Sequence, residues 1–143
     1  MGKIRLYADN ACDLDLEFLE QLQVKLFYMP VTIKDKTYRD RLTINPGKFY
    51  SLIAEPGVIP MTAQITPVEF QEEFERVMKE SDDDIIYIAF SSGLSGTYQS
   101  ACIVRDMVNP ERITVIDSES ASVGYGLTVI KAAHDIAAGK SKE

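Results

Sequence analysis

The sequence is poor in the residues on which many kinds of site depend. It has two cysteines, Cys12 and Cys102, one histidine, His134, and no tryptophan. Two distant cysteines do not make the disulfide framework of a small secreted domain, and together with one histidine they do not supply a structural zinc site. We therefore interpret both cysteines as small apolar residues of a reduced protein, and we expect neither a metal nor a cofactor.

Positive charge and long apolar runs are also scarce. The 15 lysines and arginines are outnumbered by 22 acidic residues, which gives a net charge of −7. Nucleic acids and anionic membranes recruit basic surfaces, so we expect neither as a partner. No apolar run reaches the length of a membrane span, and the start, MGKIRLYADN, lacks the apolar segment of a signal peptide. These observations predict a cytoplasmic protein without integral membrane contact.

What the sequence does contain is an alternation of apolar runs with helical patterns. Its 143 residues, 45% of them apolar, suffice for one domain with a core. A short strand is predicted at 3–9, buried strands at 84–90 and 112–117, a β-rich segment at 25–33, a hairpin or loop at 34–40 and a loop at 56–64. Helices are predicted at 10–24, 45–55, 66–81, 96–108 and 121–139.

Several local signals refine this prediction. Asn10 or Asp13 is expected to cap the first helix, and Pro30 is expected to mark a strand edge or a bulge. Thr66 and Glu69 form a capping-box pattern ahead of the third helix. The alternation predicts an α/β fold with a mostly parallel sheet and helices on both faces.

Four polar loops follow or adjoin the strand ends. They are residues 8–13, 60–66, 91–97 and 117–126, and all are rich in Ser, Thr, Asn or Gly. Ligands of open α/β sheets bind beyond the carboxyl ends of the strands. We therefore expect the four loops to meet at one rim that carries the functional site.

Three chemistries fit such a rim. The first is serine nucleophilic catalysis, because Ser95 in GLSGT comes near a nucleophile elbow, although Thr97 stands where the second glycine is required. Such a serine also needs a base, and the only histidine, His134, lies on an apolar stripe where a packed or interface role fits better. Residues 85–104 contain no lysine or arginine, so a single carboxylate or phosphate fits this loop better than a triphosphate. Magnesium would require Asp9, Asp13 and Asp117, although Asp13 and Asp117 also suit a helix cap and a strand end.

Four segments of the sequence resemble motifs of the DegV family. SSGLSGTYQSA (91–101) and VIDSESASVGYG (115–126) match most closely. ADNACDL (8–14) is similar to the family's T-D-S-T-x-D-L, with Asn10 for Ser and Ala11 for Thr. PMTAQITPVEF (60–70) is similar to K-T-S-Q-P-S-P-x-E-F, with Ala63 for Ser. The resemblance extends from about Lys3 to Gly139.

This resemblance implies a DegV-like N-terminal domain, at residues 1–143, that binds a long-chain fatty acid. In the family, a Thr and a Ser at the positions of Thr62 and Ser95 hold the carboxylate, and a kinase partner converts the bound acid into an acyl-phosphate for bacterial phospholipid synthesis. We expect the rest of the rim to support this site through Asp9, Gln64, Ser91, Ser92, Gly93, Gly96, Thr97 and Ser118.

The resemblance also implies that the family's C-terminal domain, with a histidine and an arginine of the site, lies outside this chain. We therefore expect the chain alone to bind fatty acid weakly and to tend toward self-association. Two function classes stay open. The first is a lipid-binding module without catalysis, and the alternative is a hydrolase or transferase of small molecules that uses Ser95 as a nucleophile or phosphate ligand.

Overall fold

A computed structural model describes residues 3–142. The elements in chain order are β1 (Ile4–Asp9), α1 (Leu16–Gln21), β2 (Val24–Phe27), β3 (Pro30–Ile33), β4 (Lys36–Arg39), α2 (Pro46–Ile53), β5 (Met61–Thr62), α3 (Pro67–Glu80), β6 (Asp84–Ala89), α4 (Thr97–Val108), β7 (Ile113–Asp117) and α5 (Ser122–Ala137).

The main sheet has four parallel strands in the order β2-β1-β6-β7. Alternate residues of β1 and β6 point to opposite faces, as the pleat requires. Tyr7 and Tyr87 lie in one buried cluster with residues of α3 and α4, whereas Leu6 and Ile88 lie in a second cluster with residues of α1 and α5. The predicted α/β fold with helices on both faces is confirmed.

A second, smaller sheet was not anticipated. It is antiparallel, in the order β4-β3-β5, and it has its own apolar cluster, in which Val31, Ile33 and Ile44 contact residues of α2. The segment 56–64, predicted as a loop, contributes the two residues of β5 to this sheet. We call the unit formed by β3, β4, β5 and α2 the small lobe.

The prediction for Pro30 was wrong. Pro30 is neither at an edge nor in a bulge but begins β3, the central strand of the small lobe. Proline is tolerated at the first residue of a strand, because its missing N–H is not needed there. Its carbonyl accepts a hydrogen bond from the N–H of Ala63 at 3.2 Å.

The prediction for the first helix was also partly wrong. Residues 10–12 form a separate 3₁₀ turn, in which the Asp9 side chain accepts a bond from the N–H of Ala11. Asp13 ends this turn with a left-handed backbone, φ 52°, and the α-helix begins only at Leu16. Its cap is Asp15 rather than Asn10 or Asp13, because the Asp15 side chain accepts from the N–H of Glu17.

The later elements follow the predicted pattern more closely. The capping box of Thr66 and Glu69 is present at the start of α3. β7 is an edge strand and is not fully buried, because Ile116 is exposed.

His134 is exposed on α5, so it is not packed in this structure, and an interface role stays a prediction. Among residues 3–142, no helix has the length and apolar character needed to cross a bilayer.

Candidate functional site

The carboxyl ends of β6 and β7 bring two of the polar loops into contact. The N–H of Ser91 donates to the carbonyl of Ser120 at 3.1 Å, and the N–H of Ser92 donates to the carboxylate of Asp117 at 3.1 Å. The Ser118 hydroxyl also donates to the Ser120 carbonyl, at 3.1 Å. Loops 91–97 and 117–126 are therefore joined at Ser91 and Ser92, while the Ser118 bond shapes the second of them internally.

A buried carboxylate joins the first loop to the third. Asp9 is fully buried and accepts hydrogen bonds from the Tyr87 hydroxyl at 2.8 Å, the Phe90 N–H at 3.0 Å and the Ala11 N–H at 3.1 Å. Burial raises the pKa of Asp9, since a charged carboxylate is costly away from water, while the hydrogen bonds counteract this effect. Asp9 thus holds the backbone of the first loop, at Ala11, close to the backbone at the end of β6, at Phe90.

Tyr125 completes this buried network, and sequence reasoning missed its role. Its hydroxyl accepts from the N–H of Asp9 at 2.9 Å and donates to the carbonyl of Ile88 at 2.5 Å. The neighbouring Gly126 allows α5 to approach, because a Cβ there would lie 2.7 Å from the Cys12 carbonyl oxygen. The only signal in the sequence was the pair of glycines, Gly124 and Gly126, on either side of Tyr125, because glycines at the start of a helix allow it to pack close to a neighbour.

The second loop is bonded to the third. The N–H of Ile65 donates to the Thr97 hydroxyl at 3.2 Å, and the Gln64 amide donates to the Ser100 hydroxyl at 3.2 Å. A Cβ on Gly96 would lie 2.0 Å from the Gln64 side-chain oxygen, so this glycine makes room for the contact. All four polar loops therefore meet at one rim, as the sequence predicted.

Ser95 lies half-buried at the start of α4. Its hydroxyl is 2.9 Å from the Thr97 hydroxyl and accepts from the Thr97 N–H at 3.2 Å. Nearby, the Ser91 hydroxyl accepts from the Gly93 N–H at 3.3 Å. These hydrogen bonds place Ser95 among other neutral donors, where an anion can be held by hydroxyl and N–H groups.

An open cavity of about 710 Å³ lies between the rim and the small lobe. Thr62 lines it from β5, whereas Ser95 is not among its lining residues. The rim contributes Asn10, Ala11, Asp13, Phe90, Ala121 and Ser122, and the small lobe with its flanking segments contributes Met29, Pro30, Val31, Asp40, Arg41, Pro46, Phe49, Tyr50, Pro60 and Thr62. The walls are therefore mostly apolar, with polar groups in a few places.

The three aspartates considered for magnesium have separate environments. Asp9 is held by the buried network, Asp13 is exposed at the end of the 3₁₀ turn, and Asp117 accepts from the N–H groups of Ser92 and Glu119. Within residues 3–142, no three His, Cys, Asp or Glu side chains are grouped so that they could hold a metal ion.

Comparison with known proteins extends these observations. A family model described as "uncharacterised protein, DegV family" matches residues 3–143. A DegV domain-containing protein of Caldanaerobacter subterraneus is 41% identical over 143 residues, which is 100% of this chain and 50% of that protein. One of Clostridium acetobutylicum is 38% identical, over 100% of this chain and 51% of its own length. The chain thus spans about half the length of these relatives.

Solved structures show the same fold. A fatty-acid-binding DegV family protein from Thermus thermophilus has a TM-score of 0.87 at 30% identity, covering 98% of this chain and 49% of its own. DegV from Bacillus subtilis, a fatty-acid-binding protein, has a TM-score of 0.87 at 30% identity, covering 97% of this chain and 49% of its own. The motifs, the fold and the match over residues 3–143 lead to one conclusion: this chain belongs to the DegV family.

Proposed function

We propose that this chain binds a long-chain fatty acid, with Thr62 and Ser95 donating hydrogen bonds to its carboxylate. One observation carries the proposal. A mostly apolar cavity opens beside a rim of hydroxyl and N–H donors, in a fold that is shared with two fatty-acid-binding proteins at 30% identity. The cavity suits an acyl chain, and the rim suits its head group.

The chemistry of the rim favours a carboxylate. Residues 85–104 contain no lysine or arginine, so neutral donors at the start of α4 would hold the anion. A hydrogen bond to a charged group contributes about 1.5–3 kcal/mol. Thr62 and Ser95 lie on segments that the bond from Ile65 to Thr97 connects directly. Two such donors orient a head group by hydrogen bonds, while Arg41, which also lines the cavity, donates to the Leu14 carbonyl.

The tail supplies most of the affinity in this proposal. Each buried methylene contributes about 0.8 kcal/mol, so a fully buried long chain contributes roughly 10 kcal/mol before the cost of association. Phe49, Phe90 and Val31 offer suitable apolar surface in the cavity wall.

We further propose that the chain is not itself catalytic and presents the acyl carboxylate to a fatty acid kinase. The geometry of Ser95 supports the first part, because its hydroxyl contacts another hydroxyl and an N–H rather than a base. We also propose that the part of the relatives beyond this span supplies the opposite wall of the site. Binding by this chain alone should then be weaker than binding by a chain that carries both parts.

The test begins with the ligand that the purified protein retains. Denaturation and extraction with organic solvent, followed by mass spectrometry, should yield free long-chain fatty acid above the amount in a mock purification. Titration with a fluorescent fatty acid should then saturate, and the Thr62→Ala, Ser95→Ala double variant should bind less. Absence of both extracted acid and saturable binding would contradict the proposal, whereas ester hydrolysis that disappears in Ser95→Ala would favour the enzyme alternative.

A further inference from the structure

The side chain of Asn10 holds both stems of a hairpin in the small lobe. Asn10 is 4% exposed and follows β1 directly. Its side-chain oxygen accepts from the N–H of Met29 at 2.7 Å, and its side-chain nitrogen donates to the carboxylate of Asp40 at 2.6 Å. Met29 directly precedes β3 and Asp40 directly follows β4, so one carboxamide bridges the open end of the β3–β4 hairpin.

Polar bonds of this kind carry much of the attachment of the small lobe. Its apolar cluster is separate from the two clusters of the main sheet. Three side-chain contacts tie the hairpin and the residues after it to the part of the chain around the main sheet. Besides the bonds of Asn10, the Arg41 guanidinium donates to the Leu14 carbonyl at 2.6 Å, and Arg39 forms an ion pair with Glu69 at 2.8 Å. Met29, at one stem of the hairpin, also packs against the apolar cluster that Tyr7 and Tyr87 share with α3 and α4. The position of the hairpin therefore depends on that packing together with a few directional contacts.

Those contacts lie at the cavity. Asn10, Met29 and Asp40 all line it, and the hairpin that they anchor contributes Pro30 and Val31 to its wall. We therefore expect a change in the Asn10 contacts to alter the distance between the rim and the β3–β4 hairpin.

We propose that Asn10 is a positioning residue of the ligand cavity, which sets the separation between the rim and the β3–β4 hairpin and so controls how firmly an acyl tail is held. The inference rests on the proposed function for the identity of the ligand, but the structural part does not. A carboxamide is suited to this role because it offers an acceptor to Met29 and a donor to Asp40 while carrying no charge.

We call the two hydrogen bonds of the Asn10 side chain, to Met29 and to Asp40, the clamp. The first experiment measures the clamp in the absence of ligand. Hydrogen exchange of this chain, read by mass spectrometry over residues 28–41, should accelerate about fivefold to tenfold in Asn10→Ala, as expected for the loss of hydrogen bonds at Met29 and Asp40. Asn10→Asp should accelerate exchange at least as much, because its carboxylate faces that of Asp40. The double variant Asn10→Asp, Asp40→Asn restores a donor–acceptor pair and should return exchange to within about twofold of the parent.

Asn109 provides a matched control. Its side-chain oxygen accepts from the N–H groups of Glu111 and Arg112 at 3.1 and 3.0 Å, between α4 and β7 and outside the cavity lining. Asn109→Ala therefore removes two hydrogen bonds of an asparagine without touching the clamp. It should lower the melting temperature while leaving exchange over residues 28–41 unchanged.

The second experiment measures dissociation of a fluorescent fatty acid by stopped flow. Asn10→Asp should raise the dissociation rate about tenfold, the charge-swapped double variant should restore it, and Asn109→Ala should leave it unchanged. Should Asn10→Ala fail to fold, the charge-swapped pair still decides the question.

Each failure has a distinct meaning. Unchanged exchange in Asn10→Asp, or failure of the double variant to restore it, overturns the clamp. Accelerated exchange with an unchanged dissociation rate overturns the positioning role while the proposed function stands. Accelerated exchange in a protein that shows no saturable fatty-acid binding overturns the proposed function and, with it, the role of Asn10 toward an acyl tail.

Discussion

The backbone N–H of Ile65 donates a hydrogen bond to the hydroxyl of Thr97 at 3.2 Å, and both residues are fully buried. This contact joins the segment that carries Thr62 to the loop that carries Ser95. The two proposed head-group ligands therefore depend on a buried bond between residues that do not contact ligand in the proposal.

Thr97→Val should lower the free energy of unfolding by about 1–3 kcal/mol, because valine keeps the shape of threonine but leaves the buried Ile65 N–H without its acceptor. Urea denaturation measures the change. Thr128→Val is the control, since the Thr128 hydroxyl donates to the Gly124 carbonyl on α5, away from this contact, and its loss should cost less than about 0.5 kcal/mol. Equal stabilities of Thr97→Val and the parent would show that the contact contributes nothing.

Thr62→Ala and Ser95→Ala should each weaken fatty-acid binding by about 1–3 kcal/mol, or roughly 5- to 150-fold in Kd, because each removes a donor to the charged head group. Calorimetry with this chain, and with any longer natural chain that contains it, measures the loss. Ser51→Ala is the control, because the Ser51 hydroxyl is exposed on α2 and donates to the Lys48 carbonyl. Unchanged affinity in both test variants would remove these residues from the site.

Ala121→Phe should weaken the binding of stearic acid more than that of decanoic acid. Ala121 lines the cavity and has an extended backbone that accepts an aromatic side chain. A ring that displaces two or three methylenes costs about 2 kcal/mol, or roughly thirtyfold in Kd. Ala138→Phe, at the far end of α5, should change neither affinity. An equal loss for both acids would indicate that the tail does not reach this wall.

The buried Asp9 should make stability depend on pH in a defined direction. Its pKa in the folded protein is raised by burial above the ordinary value of 3.8, so the folded state binds this proton more tightly than the unfolded state. The contribution is most favourable below the unfolded pKa and is lost as the pH rises through the folded pKa. The difference in unfolding free energy between the parent and Asp9→Asn should therefore fall with rising pH and then level off.

Urea denaturation of both proteins across roughly pH 4 to 8 measures this difference, and the subtraction removes the contributions of other carboxylates. A difference that rises with pH would mean that the hydrogen bonds from Tyr87, Phe90 and Ala11 outweigh the cost of burial. Tyr87→Phe removes one of those bonds and should extend the fall to higher pH.

Much of the fold follows from local sequence. The run DIIYIAF predicts β6 because it is apolar throughout, as in a strand covered on both faces, and Thr66 with Glu69 predicts the start of α3 because the capping box is a local exchange of hydrogen bonds. The composition of the four loops also indicated their meeting, since the carboxyl ends of parallel strands share one edge. β6 and the start of α3 depend on residues that are near each other in the chain, whereas the meeting of the loops follows from the parallel arrangement of the strands.

Other features depend on contacts between distant residues, and the sequence by itself did not determine them. The first helix begins at Leu16 rather than at residue 10 because Tyr87 and Phe90 hold the buried carboxylate of Asp9. That carboxylate then accepts from the N–H of Ala11 in a separate 3₁₀ turn. Asn10 suited a helix cap equally well by its residue type, but Met29 and Asp40 engage both ends of its carboxamide. Local propensity offers a polar side chain several partners of similar energy, and only the folded chain decides which of them is buried beside it.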